Sequence, residues 1–135
     1  MSSRTQCKHL SSKTVSTICF SLFFGWILSV PFEGQVLYIL MENAGKDGTL
    51  HNTLAITAHF AALFTAGFFI RRQAAVKATM TASVVVCIAG SLVLYMPFSF
   101  LWYIAVAVMS FFAGLFVASW GFCFKSYYRS GDRLK

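Results

Sequence analysis

Three polar side chains that could carry chemistry interrupt otherwise apolar stretches of this sequence: Glu33, Gln35 and His59. A carboxylate and an imidazole at the same depth in hydrocarbon could share water and exchange a proton near neutral pH. Glu33 lies roughly 12 Å from the expected helix end at Met41, at a rise of about 1.5 Å per residue. His59 lies roughly 9 Å from the expected start of the next helix at Thr53. The spacing predicts a proton or substrate site formed by these three residues.

A plainer explanation stands beside this prediction. Pro31 could mark the end of the membrane core, which would leave Glu33 solvated at the interface, and His59 could be a packing histidine. The sequence shows no paired buried carboxylates, no nucleophile with a base at local spacing and no cysteine pair with metal-ligand spacing. We therefore expect no enzyme activity, no metal and no cofactor, and we interpret the cysteines as small apolar residues.

The elements that must position these residues are apolar helices. Of the 135 residues, 58% are hydrophobic and 11% are charged, whereas soluble domains have about 45–50% and about 25%. Four stretches reach the roughly 20 mostly apolar residues that cross a bilayer, and backbone polar groups in lipid require helices. The sequence predicts an all-α fold, a polytopic transmembrane bundle of four helices at about 17–41, 53–70, 78–96 and 99–124.

Charge predicts the orientation of this bundle. Ten of the eleven basic residues lie before the first helix, between the second and third, or after the fourth, and only Lys46 lies on the other side. By the positive-inside rule both the N and C termini are cytoplasmic. We expect a cytoplasmic tail at 1–16, a transmembrane domain at 17–125 and a basic cytoplasmic tail at 126–135, in a multi-pass protein of a bacterial cytoplasmic (inner) membrane. The net charge of +7 suits anionic lipid and predicts no nucleic-acid contact.

Small side chains at four-residue spacing predict where the helices pack, because such residues allow close approach in lipid. The first helix carries Ser21, Gly25 and Ser29 on one face, and the fourth helix carries Gly114. We expect these four positions to serve helix packing.

The loop between the second and third helices resembles the signature loop of the major facilitator superfamily. That signature reads roughly G-x-x-x-D-(R/K)-x-G-x-(R/K)-(R/K), and Gly67, Arg72 and Lys77 match it. The positions that depart from it are Arg71, Ala74 and Val76. The order of helices and loops also resembles the first four helices of that family. The resemblance implies part of a secondary transporter that works by alternating access, with a small molecule or ion as substrate and further helices or oligomer partners to complete it.

Two other functions stay open. The chain is also similar to small multidrug resistance exporters, which have four helices and a glutamate in the first, although its charge bias is stronger and Glu33 lies later in the helix. A small scaffold, or the membrane part of a sensor or transcriptional regulator, needs no transport path at all. A transporter predicts a wet cavity around Gln35 and His59, whereas a scaffold predicts a dry one.

Overall fold

The computed structural model describes residues 3–30, 35–70 and 73–131. Over these ranges it contains helices and no strand, which confirms the all-α prediction: α1 (Ser3–Ser29), α2 (Gln35–Asn43), α3 (Thr49–Phe69), α4 (Gln73–Val93) and α5 (Leu101–Gly131). Two segments of this described part are long and apolar enough to cross a membrane, Ala75–Val93 in α4 and Leu101–Ser126 in α5. The four transmembrane spans therefore stay a prediction.

The first predicted helix differs most from the structure. Instead of one helix over 17–41, α1 ends at Ser29 and α2 begins at Gln35, on either side of Pro31 in the sequence. Proline lacks a backbone donor and disfavours helical backbone in the residue before it. α1 also begins at Ser3, within the stretch 1–16 that we expect to be a tail. Once an apolar segment has nucleated a helix, extending it through polar residues costs little.

Local hydrogen bonds close the turn between α2 and α3. Gly45 has a φ of +64°, a backbone conformation that glycine adopts without steric penalty. The Asp47 carboxylate accepts hydrogen bonds from the Thr49 backbone N–H at 2.9 Å and from the Thr49 hydroxyl at 2.7 Å. These bonds hold the pKa of Asp47 below its usual range. The negative charge thus sits at the start of α3, where the helix dipole favours it.

The central element is α5, and α3 lies along it in a parallel direction. Near the start of both helices the His51 ring stacks on Tyr103 at 3.9 Å between centroids. Further along, a Cβ built on Gly114 would lie 2.7 Å from the Ala62 Cβ. The numbers rise together on the two helices, so the helices run the same way. This order requires α4, the element between them, to return in the opposite direction.

The second neighbour of α5 is α4, and it is antiparallel. A Cβ built on Gly90 would lie 3.1 Å from the Met109 Cβ. Toward the other end, Val76 and Phe122 belong to one apolar cluster. Along these contacts the residue numbers fall on α4 as they rise on α5, so the two helices run in opposite directions. The backbones of α3 and α4 both follow α5 rather than each other within the described residues.

The third neighbour is α1, which meets α5 through aromatic rings. Phe23 and Phe116 lie 3.9 Å apart between centroids, and Phe20 stacks on Trp120 at 3.8 Å. These pairs make α1 antiparallel to α5. The four long helices therefore alternate in direction along the chain, as short connections between successive helices favour.

This alternation gives the molecule two chemically distinct ends. The Pro97 end contains the turn at 44–48, the start of α3, the turn at 94–100 and the start of α5. The basic end contains the starts of α1 and α4 and the ends of α3 and α5, with Lys77 and Lys125 exposed there. The contacts of α1, α3 and α4 with α5 are distributed along the length of α5, from one end of the molecule to the other.

Candidate functional site

The predicted proton site is described only in part. Glu33 lies outside the described residues, and Gln35 is the first residue of α2. His59 is half-buried in α3 and hydrogen-bonds to the backbone of Ser110 on α5. Leu37 of α2 belongs to the same apolar cluster as Ala55, one turn before His59. Leu37 and Ala55 thus share one apolar cluster, and a Glu33–His59 pair stays a prediction.

The predicted packing positions fall into two groups. Gly114 lies against α3, where an added Cβ would meet the His59 backbone oxygen and the Ala62 Cβ, each at 2.7 Å. By contrast, Ser21, Gly25 and Ser29 are exposed on α1, and a Cβ on Gly25 would meet nothing within 4 Å. Within the described residues this α1 face therefore has no helix packed on it.

The loop motif lies at the basic end. Gly67 is exposed near the end of α3, and Lys77 is exposed in α4. Arg72 lies outside the described residues. A shallow cavity of about 200 Å³ opens beside Gly67, and its walls come from α3 and α5: Leu63, Ala66, Gly67, Ile70, Ala118 and Phe122. Those walls contain no ionisable side chain, so the cavity cannot itself perform acid–base chemistry.

Buried hydroxyl groups line the inner faces of α4 and α5. Ser83 on α4 and Ser110 and Ser119 on α5 are each 0% exposed, and their hydroxyl oxygens have no hydrogen-bond partner. Cys87 is also buried, with its Sγ 3.5 Å from the Met109 carbonyl oxygen. Buried polar atoms without partners are uncommon in native proteins and need an explanation. These three hydroxyls and one thiol, inside helices that are otherwise apolar, are the main chemical feature of the described interior.

The Pro97 end holds a buried group that our sequence analysis missed. We define the His51 cluster as His51, Phe98, Trp102 and Tyr103. His51 stacks on Tyr103 at 3.9 Å and meets Phe98 edge-on at 6.1 Å, while Phe98 and Trp102 are 5.4 Å apart. The Trp102 indole Nε1–H donates to the Met96 carbonyl at 3.2 Å. The aromatic residues thus tie the start of α3 to the turn that leads into α5.

A sequence signal for this cluster did exist. His51 is in the first turn of α3, and Trp102 and Tyr103 are in the first turn of α5. Two of the four helices that we predicted start at the same end of the bundle, which places their first turns at one level. We placed the start of the helix at Thr53 and so assigned His51 to a loop.

No group of three or more histidine, cysteine, aspartate or glutamate side chains that could hold a metal ion occurs among residues 3–30, 35–70 and 73–131. The described part therefore offers no metal centre.

Comparison of the chain with protein-family models, with curated proteins and with solved structures gives no match. The case for a function rests on the residues of this chain and on their arrangement.

Proposed function

We propose that this chain is a multi-pass membrane segment of four spans with both termini on the cytoplasmic side. The first span combines parts of α1 and α2, and the others lie within α3, α4 and α5. The alternating helix directions support this topology, because they bring the exposed Lys77 and Lys125 to the same end, and Lys46 lies at the other.

Exposed apolar side chains also support a lipid environment. Phe60, Phe64 and Phe68 follow each other at four-residue spacing along α3 and are 57%, 77% and 73% exposed. A continuous aromatic ridge of this kind is unfavourable in water, whereas lipid tails solvate it. The ridge would therefore face lipid or further helices.

The proposed role is secondary transport, as the first helices of a protein resembling the major facilitator superfamily. The observation that carries it is the set of buried, unpartnered hydroxyls on α4 and α5. A transport path requires interior polar groups that can exchange water for substrate, and these three hydroxyls would supply them. Alternating access would then move a small molecule or ion, with proton coupling through Glu33 and His59.

The exposed small-residue face of α1 supports a larger assembly. Ser21, Gly25 and Ser29 leave open space at a helix surface suited to close approach. Further helices of a longer chain, or a second protomer, would pack there and complete the transport path. The substrate is unidentified, so the first test asks whether water reaches the proposed transport path.

Water access at Gln35 separates transport from scaffolding. In a version with Cys7, Cys19 and Cys123 changed to serine, Gln35→Cys should react with a small water-soluble methanethiosulfonate reagent, because a transport path is wet there. Native Cys87 is the internal control, since it is 1% exposed and should stay unreactive. Labelling would be read as a mass increase of the intact protein in its native membrane.

An unreactive Gln35→Cys would contradict the proposed transport path. If Gln35→Cys is as unreactive as Cys87 in the folded protein, and both react once the protein is unfolded in SDS, the interior is dry. The transport proposal would then be wrong, and a scaffold role would replace it.

A further inference from the structure

His51 is a buried ionisable group near the start of α3. Its exposed fraction is 0%, and neither Nδ1 nor Nε2 has a hydrogen-bond partner. It lies two residues before the predicted span 53–70, at the Pro97 end, so protons from that side are its nearest source. A neutral imidazole tolerates these aromatic surroundings, whereas an imidazolium ion loses its hydration there and gains in return only the face of the Tyr103 ring.

The charged groups around His51 do not compensate a positive charge on its ring. The Lys46 ammonium lies 5.9 Å from the centroid of Phe98, and Phe98 contacts His51. Lys46 therefore adds a second cation to this end of the molecule. The other titratable groups on the elements around the cluster are Tyr103 on α5, Tyr38 and Glu42 on α2, Asp47 before α3 and Tyr95 after α4.

The two acids of this set are both exposed, and the Asp47 carboxylate is engaged by Thr49. The Tyr38 ring packs on Gly48, where an added Cβ would lie 2.9 Å from it. Tyr38 thus packs α2 against the residue that precedes α3. The rings that contact His51 lie in α5 and in the turn before it, so a change at His51 would act on α3 and α5.

We propose that His51 is a proton-sensitive latch, which holds the start of α3 against the start of α5 while neutral and releases the Pro97 end when protonated. Protonation adds one charge to a buried ring that stacks on Tyr103 and has no hydrogen-bond partner, so the charged ring gains by reaching water. The shortest route breaks the stack on Tyr103 and lifts the first turn of α3 from Phe98. Trp102, which is 4% exposed, would then lose its shielding.

The direction of the pH dependence follows from burial, which lowers the pKa of His51. The open form, in which the ring reaches water, protonates first as the pH falls through the ordinary value of about 6.5. The closed form therefore loses stability progressively below that pH, and the loss is complete below the lowered pKa of the closed form. Above about pH 7 both forms carry a neutral ring, so the latch is fully closed.

The test uses the full chain in lipid nanodiscs, with Trp26 and Trp120 changed to phenylalanine so that emission reports on Trp102. Titration from about pH 8 to about pH 4.5 covers the histidine range. We expect a reversible shift of the emission maximum to longer wavelength as the pH falls. His51→Phe keeps an apolar ring for the stack and removes the titration, so this variant should show no shift.

A second measurement does not depend on any His51 variant folding correctly. Nitrogen-15 spectra of labelled histidine in the otherwise unchanged chain report protonation of each imidazole directly, and His51→Phe only assigns the signal. The His51 signal should change with the same midpoint as the Trp102 emission. An unchanged Trp102 transition in His51→Phe, a neutral His51 throughout the transition, or no transition in this range would each overturn the proposal.

Discussion

Gly114→Leu should be the most destabilising single substitution at the contact between α3 and α5. A Cβ at this position would already lie 2.7 Å from the His59 backbone oxygen and from the Ala62 Cβ. A backbone oxygen cannot move aside as a flexible side-chain end can, so α3 must separate from α5. Overpacking of this kind costs about 1–3 kcal/mol and more where the backbone has to shift, and we expect a loss of about 3 kcal/mol or more.

The measurement is reversible unfolding in mixed micelles at increasing SDS mole fraction, followed by far-ultraviolet circular dichroism. The matched control is Gly121→Leu in the same helix, where an added Cβ would meet nothing within 4 Å. The control should change the free energy of unfolding by less than about 0.5 kcal/mol. Equal stability of the two variants would show that α3 does not pack on α5 at Gly114.

Met109→Ala should have the second largest effect, at the interface of α5 with α4. Met109 is 0% exposed, its Cβ and Sδ atoms face Gly90, and its carbonyl oxygen accepts from the Cys87 thiol. Truncation removes a flexible side chain that fills the space over a glycine, and a cavity remains. Replacing a buried methionine by alanine costs about 2–5 kcal/mol in well-packed proteins, because dispersion contacts are lost and the site collapses only partly.

Val108→Ala provides the matched control for this prediction. Val108 is the preceding residue in the chain and is 42% exposed, so it leaves no comparable cavity. The same SDS unfolding assay should separate the two variants by at least about 1.5 kcal/mol. A Met109→Ala protein as stable as Val108→Ala would contradict the packing of α4 on α5.

The sequence predicted the helical fold because long apolar runs leave the backbone no other way to satisfy its polar groups in lipid. Helix ends were harder to predict. We expected one helix over 17–41, whereas α1 ends at Ser29, and the polar residues from Ser3 onward gave no sign of helix. Apolar periodicity determines where a helix is buried, but capping and neighbouring turns determine where it begins and ends.

The candidate site, like the helix ends, could be predicted from the sequence only in part. Spacing of small residues identified Gly114, and it also identified Gly25, which has open space around it in the described structure. One sequence cannot reveal which small-residue face meets which neighbour, because the pattern specifies a face and not a partner. We missed His51 because we placed the start of the helix at Thr53, and because its burial depends on the Tyr103 ring about 50 residues away, which no pattern next to His51 indicates.

The most direct test of the proposed topology asks whether the Pro97 end and the basic end lie on opposite sides of a membrane. Single cysteines replace Lys46, Lys77 or Lys125 in a version without native cysteines, and all three positions are exposed. In intact cells a membrane-impermeant maleimide should label Lys46→Cys alone, and Lys77→Cys and Lys125→Cys should react only after the membrane is opened. Labelling of Lys77→Cys or Lys125→Cys in intact cells would contradict the proposed topology.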